Sequence, residues 1–215
     1  MELKGKIINF LGDSITQGCG VSSPKAIFHS VLKEKYGIKE ARNYGEGGTR
    51  IARQGEITSL VRDRDFILRA TDMEDADMVV VFGGTNDFGT GQAALGSPSD
   101  KTMYTFYGAV QVLIDNLKKQ FKHIVFITPL HRLNEDGRGA WKPEGVTQMP
   151  LCEYVKAVKE VCNRSSVPVL DLFFDDDLLG NDPEWCREYM PDGVHPNDKC
   201  HQIIAQKLGA FLENL

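Results

Sequence analysis

The chain has 215 residues, a formal net charge of −5, and 41% hydrophobic and 26% charged residues. A chain of this length and composition is expected to form one domain, residues 1–215, with a core that needs no disulfide or structural metal. No basic block is present, which argues against a nucleic-acid partner because phosphate contacts require clustered Lys and Arg side chains.

The same sequence argues against export and against a membrane partner. The first apolar run, at residues 7–11, is too short for a signal peptide, and no stretch approaches the roughly 20 apolar residues of a membrane span. The five cysteines form no C-x-x-C pair and are interpreted as free thiols, with Cys19 as a packing residue. We therefore expect a cytoplasmic protein, with a homodimer as the default assembly.

Short apolar runs alternate with amphipathic patterns along the chain. The longest runs are nearly continuous and β-branched, which is typical of strands covered on both faces. Strands alternating with helices predict an α/β fold with a parallel sheet wrapped by helices. In chain order, the predicted elements are strand 7–11, helix 24–36, strands 41–44 and 78–82, helix 102–120, strand 123–127, helix 151–163, strand 167–170, and helix 197–213 with Asn197 as N-cap.

Ser14 follows the first predicted strand directly, in the sequence Gly12-Asp13-Ser14-Ile15. The carboxyl ends of strands in α/β proteins open onto the crevice where ligands bind, so this serine is well placed to act as a nucleophile. Serine alone is a poor nucleophile, and the hypothesis therefore requires a base and an oxyanion site elsewhere in the chain. We interpret Asp13 as a residue that holds the loop through backbone N–H groups.

His195 is the candidate base, because Asp192 precedes it by three residues in Asp192-Gly193-Val194-His195. On a tight loop the aspartate can accept from Nδ1–H, which leaves Nε2 free to take a proton from a serine hydroxyl. Taken alone, an Asp-x-x-His sequence is also compatible with an ordinary turn. Metal binding is the rival use, and we discount it because no other His or Cys stands at ligand spacing around His195.

Two glycine-containing segments after strands are candidates for the oxyanion site. Residues 43–49 follow the second predicted strand, and their glycines let a backbone N–H approach a substrate. Residues 82–87 follow the third, and Asn86 there can offer its side-chain amide. Such turns can also be purely geometric or bind phosphate, although neither segment fits a Walker or dinucleotide sequence.

Together these four segments resemble the four sequence blocks of the SGNH hydrolases, a branch of the GDSL esterase/lipase family, in order and approximate spacing over residues 7–196. The resemblance implies Ser14, Asp192 and His195 as the catalytic triad, and Ser14, Gly48 and Asn86 as the oxyanion hole. Ile15 stands where the family's name has leucine, and Gly45 competes with Gly48 because Glu46-Gly47 is less typical of the second block.

The resemblance also implies a fold and an activity. The fold is a three-layer α/β/α sandwich with a flavodoxin-like, five-stranded parallel sheet of order 2-1-3-4-5, without cofactor or metal. The activity is hydrolysis of carboxylic esters through an acyl-enzyme. Because the sequence has no long apolar segment, we expect small soluble substrates with short acyl chains, or acetylated carbohydrates. The alternatives are an acyltransferase, a thioesterase or a lysophospholipase on the same scaffold, or a catalytically silent ligand-binding domain.

One long irregular segment, residues 129–150, leaves the carboxyl end of the fourth predicted strand and is rich in Pro and Gly. Long loops in compact domains are usually functional or mobile, so we expect it to cover the pocket, with a passive excursion as the alternative. His131, Arg132 and Trp141 in this segment are the candidate substrate-binding residues.

Overall fold

The computed structural model describes residues 1–55, 63–137 and 144–215. Five strands alternate with helices, as the sequence predicts. The strands are β1 (Ile7–Gly12), β2 (Glu40–Gly45), β3 (Met78–Phe82), β4 (Ile124–Ile127) and β5 (Val169–Leu170). The helices are α1 (Ser14–Gln17), α2 (Phe28–Tyr36), α3 (Phe66–Ala70), α4 (Thr85–Gly89), α5 (Phe106–Leu117), α6 (Leu151–Arg164), α7 (Pro183–Tyr189) and α8 (Asp198–Glu213), with a 3₁₀ turn at Pro24–Ala26.

The strands form one parallel sheet of order β2-β1-β3-β4-β5, which confirms the predicted fold class and the order 2-1-3-4-5. The register aligns the carboxyl ends of the strands: Gly12 lies opposite Gly45 on one side and Phe82 on the other. Phe82 in turn lies opposite Ile127, which pairs with Leu170. The loops that leave this carboxyl edge of the sheet are therefore brought together.

Each face of the sheet is covered by its own hydrophobic core. β3 shows why its sequence is continuously apolar, since Val79 and Val81 enter the core on one face and Met78, Val80 and Phe82 enter the core on the other. The first core includes residues of α3, α5 and α6, and the second includes residues of α2 and α8. The result is a three-layer sandwich.

The structure differs from the predicted elements mainly in short segments. The predicted helix 24–36 is a 3₁₀ turn followed by α2, because Ile27 between them is extended, with φ −65° and ψ 138°. Asn197 caps α8 as predicted, and its side chain accepts hydrogen bonds from the backbone N–H groups of Lys199 and Cys200. Four helices of four to seven residues, α1, α3, α4 and α7, have no counterpart in the sequence prediction.

Candidate active site

The turn that presents Ser14 is fixed by tight packing at the end of β1. Asp13 is buried and caps α1, with its carboxylate accepting from the backbone N–H of Ile15 at 3.0 Å. A Cβ at Gly12 would lie 2.0 Å from Thr16 Oγ1 and 2.8 Å from the carbonyl oxygen of Phe82, so only glycine fits there. Ser14 is therefore held as the first residue of α1 at the carboxyl edge.

Ser14, His195 and Asp192 form a continuous chain of hydrogen bonds. The hydroxyl oxygen of Ser14 lies 2.9 Å from Nε2 of His195, and Nδ1 of His195 lies 2.6 Å from Oδ2 of Asp192. The second oxygen of Asp192 accepts from the backbone N–H groups of Val194 at 2.9 Å and His195 at 2.7 Å. With Nδ1–H donating to the carboxylate, Nε2 is left as the acceptor for the serine hydroxyl.

The electrostatics of Asp192 favour its ionised form. Partial burial acts to raise the pKa of Asp192, but the hydrogen bonds from His195 and Val194 outweigh it and lower the pKa below its usual value. The carboxylate is thus available to orient the imidazole and to stabilise its positive charge. The turn itself packs against the segment after β4, where the backbone N–H of Leu133 donates to the carbonyl of Gly193 at 3.0 Å.

The two glycines that compete for the oxyanion role differ in the hydrogen bonding of their N–H groups. The N–H of Gly45 donates to Asn43 Oδ1 at 2.8 Å, and that of Gly47 donates to Gln17 Oε1 at 2.9 Å. The N–H of Gly48, a residue with φ 75°, has no acceptor within the part of the chain that the structure describes. The turn lies beside the serine, since a Cβ at Gly47 would be 3.7 Å from the Cβ of Ser14. Gly48 therefore offers the unoccupied amide.

Asn86 lies in the first turn of α4, and its side-chain amide donates to the carbonyl of Thr49 at 3.0 Å. An amide group carries two N–H bonds, and one is used in this contact. The contact orients the side chain, and no other acceptor for this amide lies among the described residues. Its second N–H remains for a ligand.

Two buried charged residues that sequence reasoning missed hold these turns together. The guanidinium of Arg69 donates to the carbonyls of Gly12 and Tyr44 and to Thr49 Oγ1, the first at 3.1 Å and the last at 2.8 Å. Asp87 accepts from two consecutive backbone N–H groups, those of residues 51 and 52, both at 2.9 Å. A lone arginine in a five-residue helix gives no sequence signal for this role.

Asp13 stands out among the ionisable groups of the site. Burial raises the pKa of this carboxyl to about 6, helped by the neighbouring charge of Asp87 and opposed by the Ile15 N–H, His195 and Arg69. Among the described residues its carboxylate accepts a hydrogen bond from the backbone N–H of Ile15, which fits the structural role that we expected from the sequence.

The candidate substrate-binding residues lie in different surroundings. His131 donates from Nδ1 to the carboxylate of Glu135 at 2.7 Å, and its ring packs on that of Phe173 with centroids 3.8 Å apart. Arg132 donates from Nη1 to Thr85 Oγ1 at 3.1 Å, next to Asn86. Trp141 lies outside the described residues.

In the described ranges, no helix is both long and apolar enough to cross a membrane. Within the same ranges, no cluster of three or more His, Cys, Asp or Glu side chains could hold a metal ion. All five cysteines are free, and three of them are buried.

Comparison with solved structures extends the fold assignment over the whole chain. A protein from Lactobacillus plantarum superposes with a TM-score of 0.82 at 28% identity, covering 98% of this chain and 98% of that chain. The lipase/acylhydrolase from Enterococcus faecalis superposes with a TM-score of 0.64 at 20% identity, covering 97% and 96%. No curated protein matches the chain in sequence.

A parallel sheet of this order, with a serine, an aspartate and a histidine at its carboxyl edge, defines the class of the SGNH hydrolases. The model of the GDSL-like lipase/acylhydrolase family matches residues 10–203, and the chain belongs to this family. It is accordingly a hydrolase that acts on ester bonds.

Proposed function

We propose that the protein is a serine esterase that hydrolyses carboxylic esters of small soluble substrates through an acyl-enzyme. The observation that carries the proposal is the hydrogen-bonded chain from Ser14 through His195 to Asp192, with distances of 2.9 and 2.6 Å. This is the arrangement that activates a serine hydroxyl.

The mechanism follows from the positions of these groups. His195 takes the proton of Ser14 as the hydroxyl oxygen attacks the ester carbonyl, and Asp192 stabilises the imidazolium. The amides of Ser14 and Gly48 and the side chain of Asn86 donate to the oxyanion. The alcohol leaves with the proton from His195, and water activated by the same imidazole then releases the acid.

The surface favours small soluble esters over a lipid interface. In the described ranges, the exposed large hydrophobic side chains are Tyr104, Phe174, Leu179 and Leu215, and of these only Phe174 and Leu179 are close together in the sequence. A small number of exposed hydrophobic residues is normal for a protein surface, whereas binding to a lipid layer uses a large contiguous apolar patch. Short acyl chains and acetylated sugars are the substrates we propose.

The proposal is tested with 4-nitrophenyl esters from acetyl to octanoyl and with acetylated sugars. Wild type should hydrolyse the short esters with a burst of 4-nitrophenol and should react with a serine-directed phosphonate. Ser14→Ala should lose the burst and the labelling, whereas Ser99→Ala, at an exposed serine, should keep both. Full activity in Ser14→Ala would show that the proposal is wrong. Product analysis with an added alcohol separates hydrolysis from acyl transfer.

A further inference from the structure

Arg132 places a guanidinium against α4, beside the proposed oxyanion donor Asn86. Its Nη1 donates to Thr85 Oγ1 at 3.1 Å, and its Cζ lies 5.7 Å from the ring centroid of Phe88. Gly89 leaves the room that this side chain occupies, because a Cβ there would lie 3.1 Å from Arg132 Nη1. The guanidinium therefore contacts Thr85, the residue directly before Asn86, whose side chain we propose to contact the ester carbonyl.

Unlike Arg53 and Arg69, this guanidinium has no carboxylate partner among the described residues. Arg53 pairs with Asp65 at 2.6 Å, and Arg69 pairs with Glu46 at 3.3 Å. Arg132 makes no ion pair within residues 1–55, 63–137 and 144–215, and its buried Nε has no hydrogen-bond partner there.

The guanidinium of Arg132 has more N–H donors than hydrogen bonds among the described residues, so some donors are left for a ligand. A guanidinium carries five N–H donors in a planar fork, and in those ranges the contact with Thr85 is the one hydrogen bond that this guanidinium makes. Burial lowers the pKa of Arg132, and the carboxylates of Asp192 and Asp13 act in the opposite direction through space. Since an arginine side chain stays protonated at neutral pH, the site holds a partly desolvated positive charge with unused donors.

We propose that Arg132 binds a carboxylate carried by the ester substrate, and thereby makes the enzyme prefer anionic esters over neutral esters of similar shape. The inference rests on the proposed esterase function and names its substrate class. A planar carboxylate matches the fork of the guanidinium. The charges of Asp13 and Asp192, which act on Arg132 through space, repel a monoanionic carboxylate less than a dianionic phosphate.

Two pairs of substrates test the inference and show which side of the ester carries the charge. Monomethyl succinate and dimethyl succinate differ by a carboxylate on the acyl side. The pair 4-acetoxybenzoate and its methyl ester differ by a carboxylate on the alcohol side. Because the members of a pair differ in intrinsic reactivity, the anionic-to-neutral ratio of kcat/KM is compared between wild type and variants.

We expect Arg132→Gln to lower this ratio at least about tenfold in one of the pairs, the range for a lost charge-assisted hydrogen bond. Arg132→Lys should keep part of the preference. Arg164→Gln removes a positive charge near the opposite edge of the sheet, at the end of α6, and should leave the ratio unchanged. An equal loss on both members of each pair would assign Arg132 a merely structural role and overturn the inference.

If Arg132→Gln does not fold, the inference can still be tested by a measurement on the wild-type protein alone. Added NaCl should lower kcat/KM for the preferred anionic ester more than for its neutral partner, because salt screens the charge interaction. Equal salt dependence would overturn the inference. If wild type hydrolyses both members of each pair with equal salt dependence, the inference alone fails. If wild type hydrolyses no ester and resists the phosphonate, the proposed function fails with it.

Discussion

The two oxygens of Asp192 have different partners, and this division makes the residue open to a sharp test. One oxygen accepts from the backbone N–H groups of Val194 and His195, and the other accepts from Nδ1 of His195. In Asp192→Asn the amide oxygen can keep the two backbone bonds. The NH₂ group then faces Nδ1 and selects the tautomer with a proton on Nε2, which cannot accept from Ser14.

We therefore expect Asp192→Asn to lower kcat by about 10²–10⁴-fold with little change in KM, the range for general acid–base catalysis. Steady-state kinetics and a thermal melt check this. The melt should stay close to wild type because the turn is preserved. A normal kcat in a folded variant would remove Asp192 from the mechanism.

Asn86 has one N–H committed to Thr49 and a second that is left for a ligand. Asn86→Ala should lower kcat by about 10²–10³-fold, since this donor acts on charge that develops in the transition state. KM for a short 4-nitrophenyl ester should change much less. A rise in KM at unchanged kcat would instead assign Asn86 to ground-state binding.

At the scale of elements, the end of β2 is packed directly on the helix that carries Ser14. A Cβ at Gly45 would lie 2.2 Å from the backbone N of Gln17 and 2.5 Å from the backbone C of Thr16. Backbone atoms of α1 cannot move without moving Ser14. The glycine is thus required by close approach.

Gly45→Ala should destabilise the protein by about 1–3 kcal/mol through overpacking and should also lower kcat. Gly5→Ala is the matched control, because Gly5 has φ 77° and open space around the position of a Cβ. The control should lose stability from backbone strain alone and keep wild-type kcat. Urea unfolding and kinetics on both variants separate the effects, and equal kcat in the two would contradict the role of this contact.

The long helices were predictable because periodicity accumulates over their length, and β3 was predictable because its apolar run is continuous. β3 has its predicted bounds at 78–82, and α6 ends one residue beyond its predicted range. α3 and α4 have five residues each, which is too short for an apolar stripe to show. The supporting contacts of Arg69 and Asp87 lie in or beside such segments, and they arise only when the strands meet.

The residues of the candidate site likewise include some that could be proposed from the sequence and some that could not. Ser14, Asp192 and His195 could be proposed from the sequence, since the four segments together resemble the sequence blocks of a known family. The choice between Gly45 and Gly48 could not be made from the sequence, because both are glycines in one turn. It depends on the side chains of Asn43 and Gln17, which occupy the amides of Gly45 and Gly47.

At the scale of the whole molecule, three buried ionisable groups make stability depend on pH. His29 and His201 lie in the core, where burial lowers the pKa of each to about 4. Burial raises the pKa of Asp13 to about 6. The histidines titrate near 6.5 and the aspartate near 3.9 in an unfolded chain.

The signs of these shifts oppose each other. Between pH 4.5 and 5.5 the unfolded chain carries protons on both histidines, which are neutral in the native state. Over the same range the native state keeps a proton on Asp13, which the unfolded chain has lost. The unfolded state therefore binds about one more proton, and stability rises with pH by about 1 kcal/mol per pH unit. Carboxyl groups whose pKa is lowered in the native state change the stability only below this range, near pH 4 and lower.

Asp13→Asn isolates the histidine contribution, because it removes the opposing proton and leaves an isosteric side chain. The slope of unfolding free energy between pH 4.5 and 5.5 should then roughly double. Urea unfolding at several pH values measures both slopes in the same buffers. A wild-type slope that is flat or falls with pH would mean that the histidines do not stay neutral in the folded core. An unchanged slope in Asp13→Asn would mean that Asp13 is ionised there, with its charge stabilised by Arg69 and the Ile15 N–H.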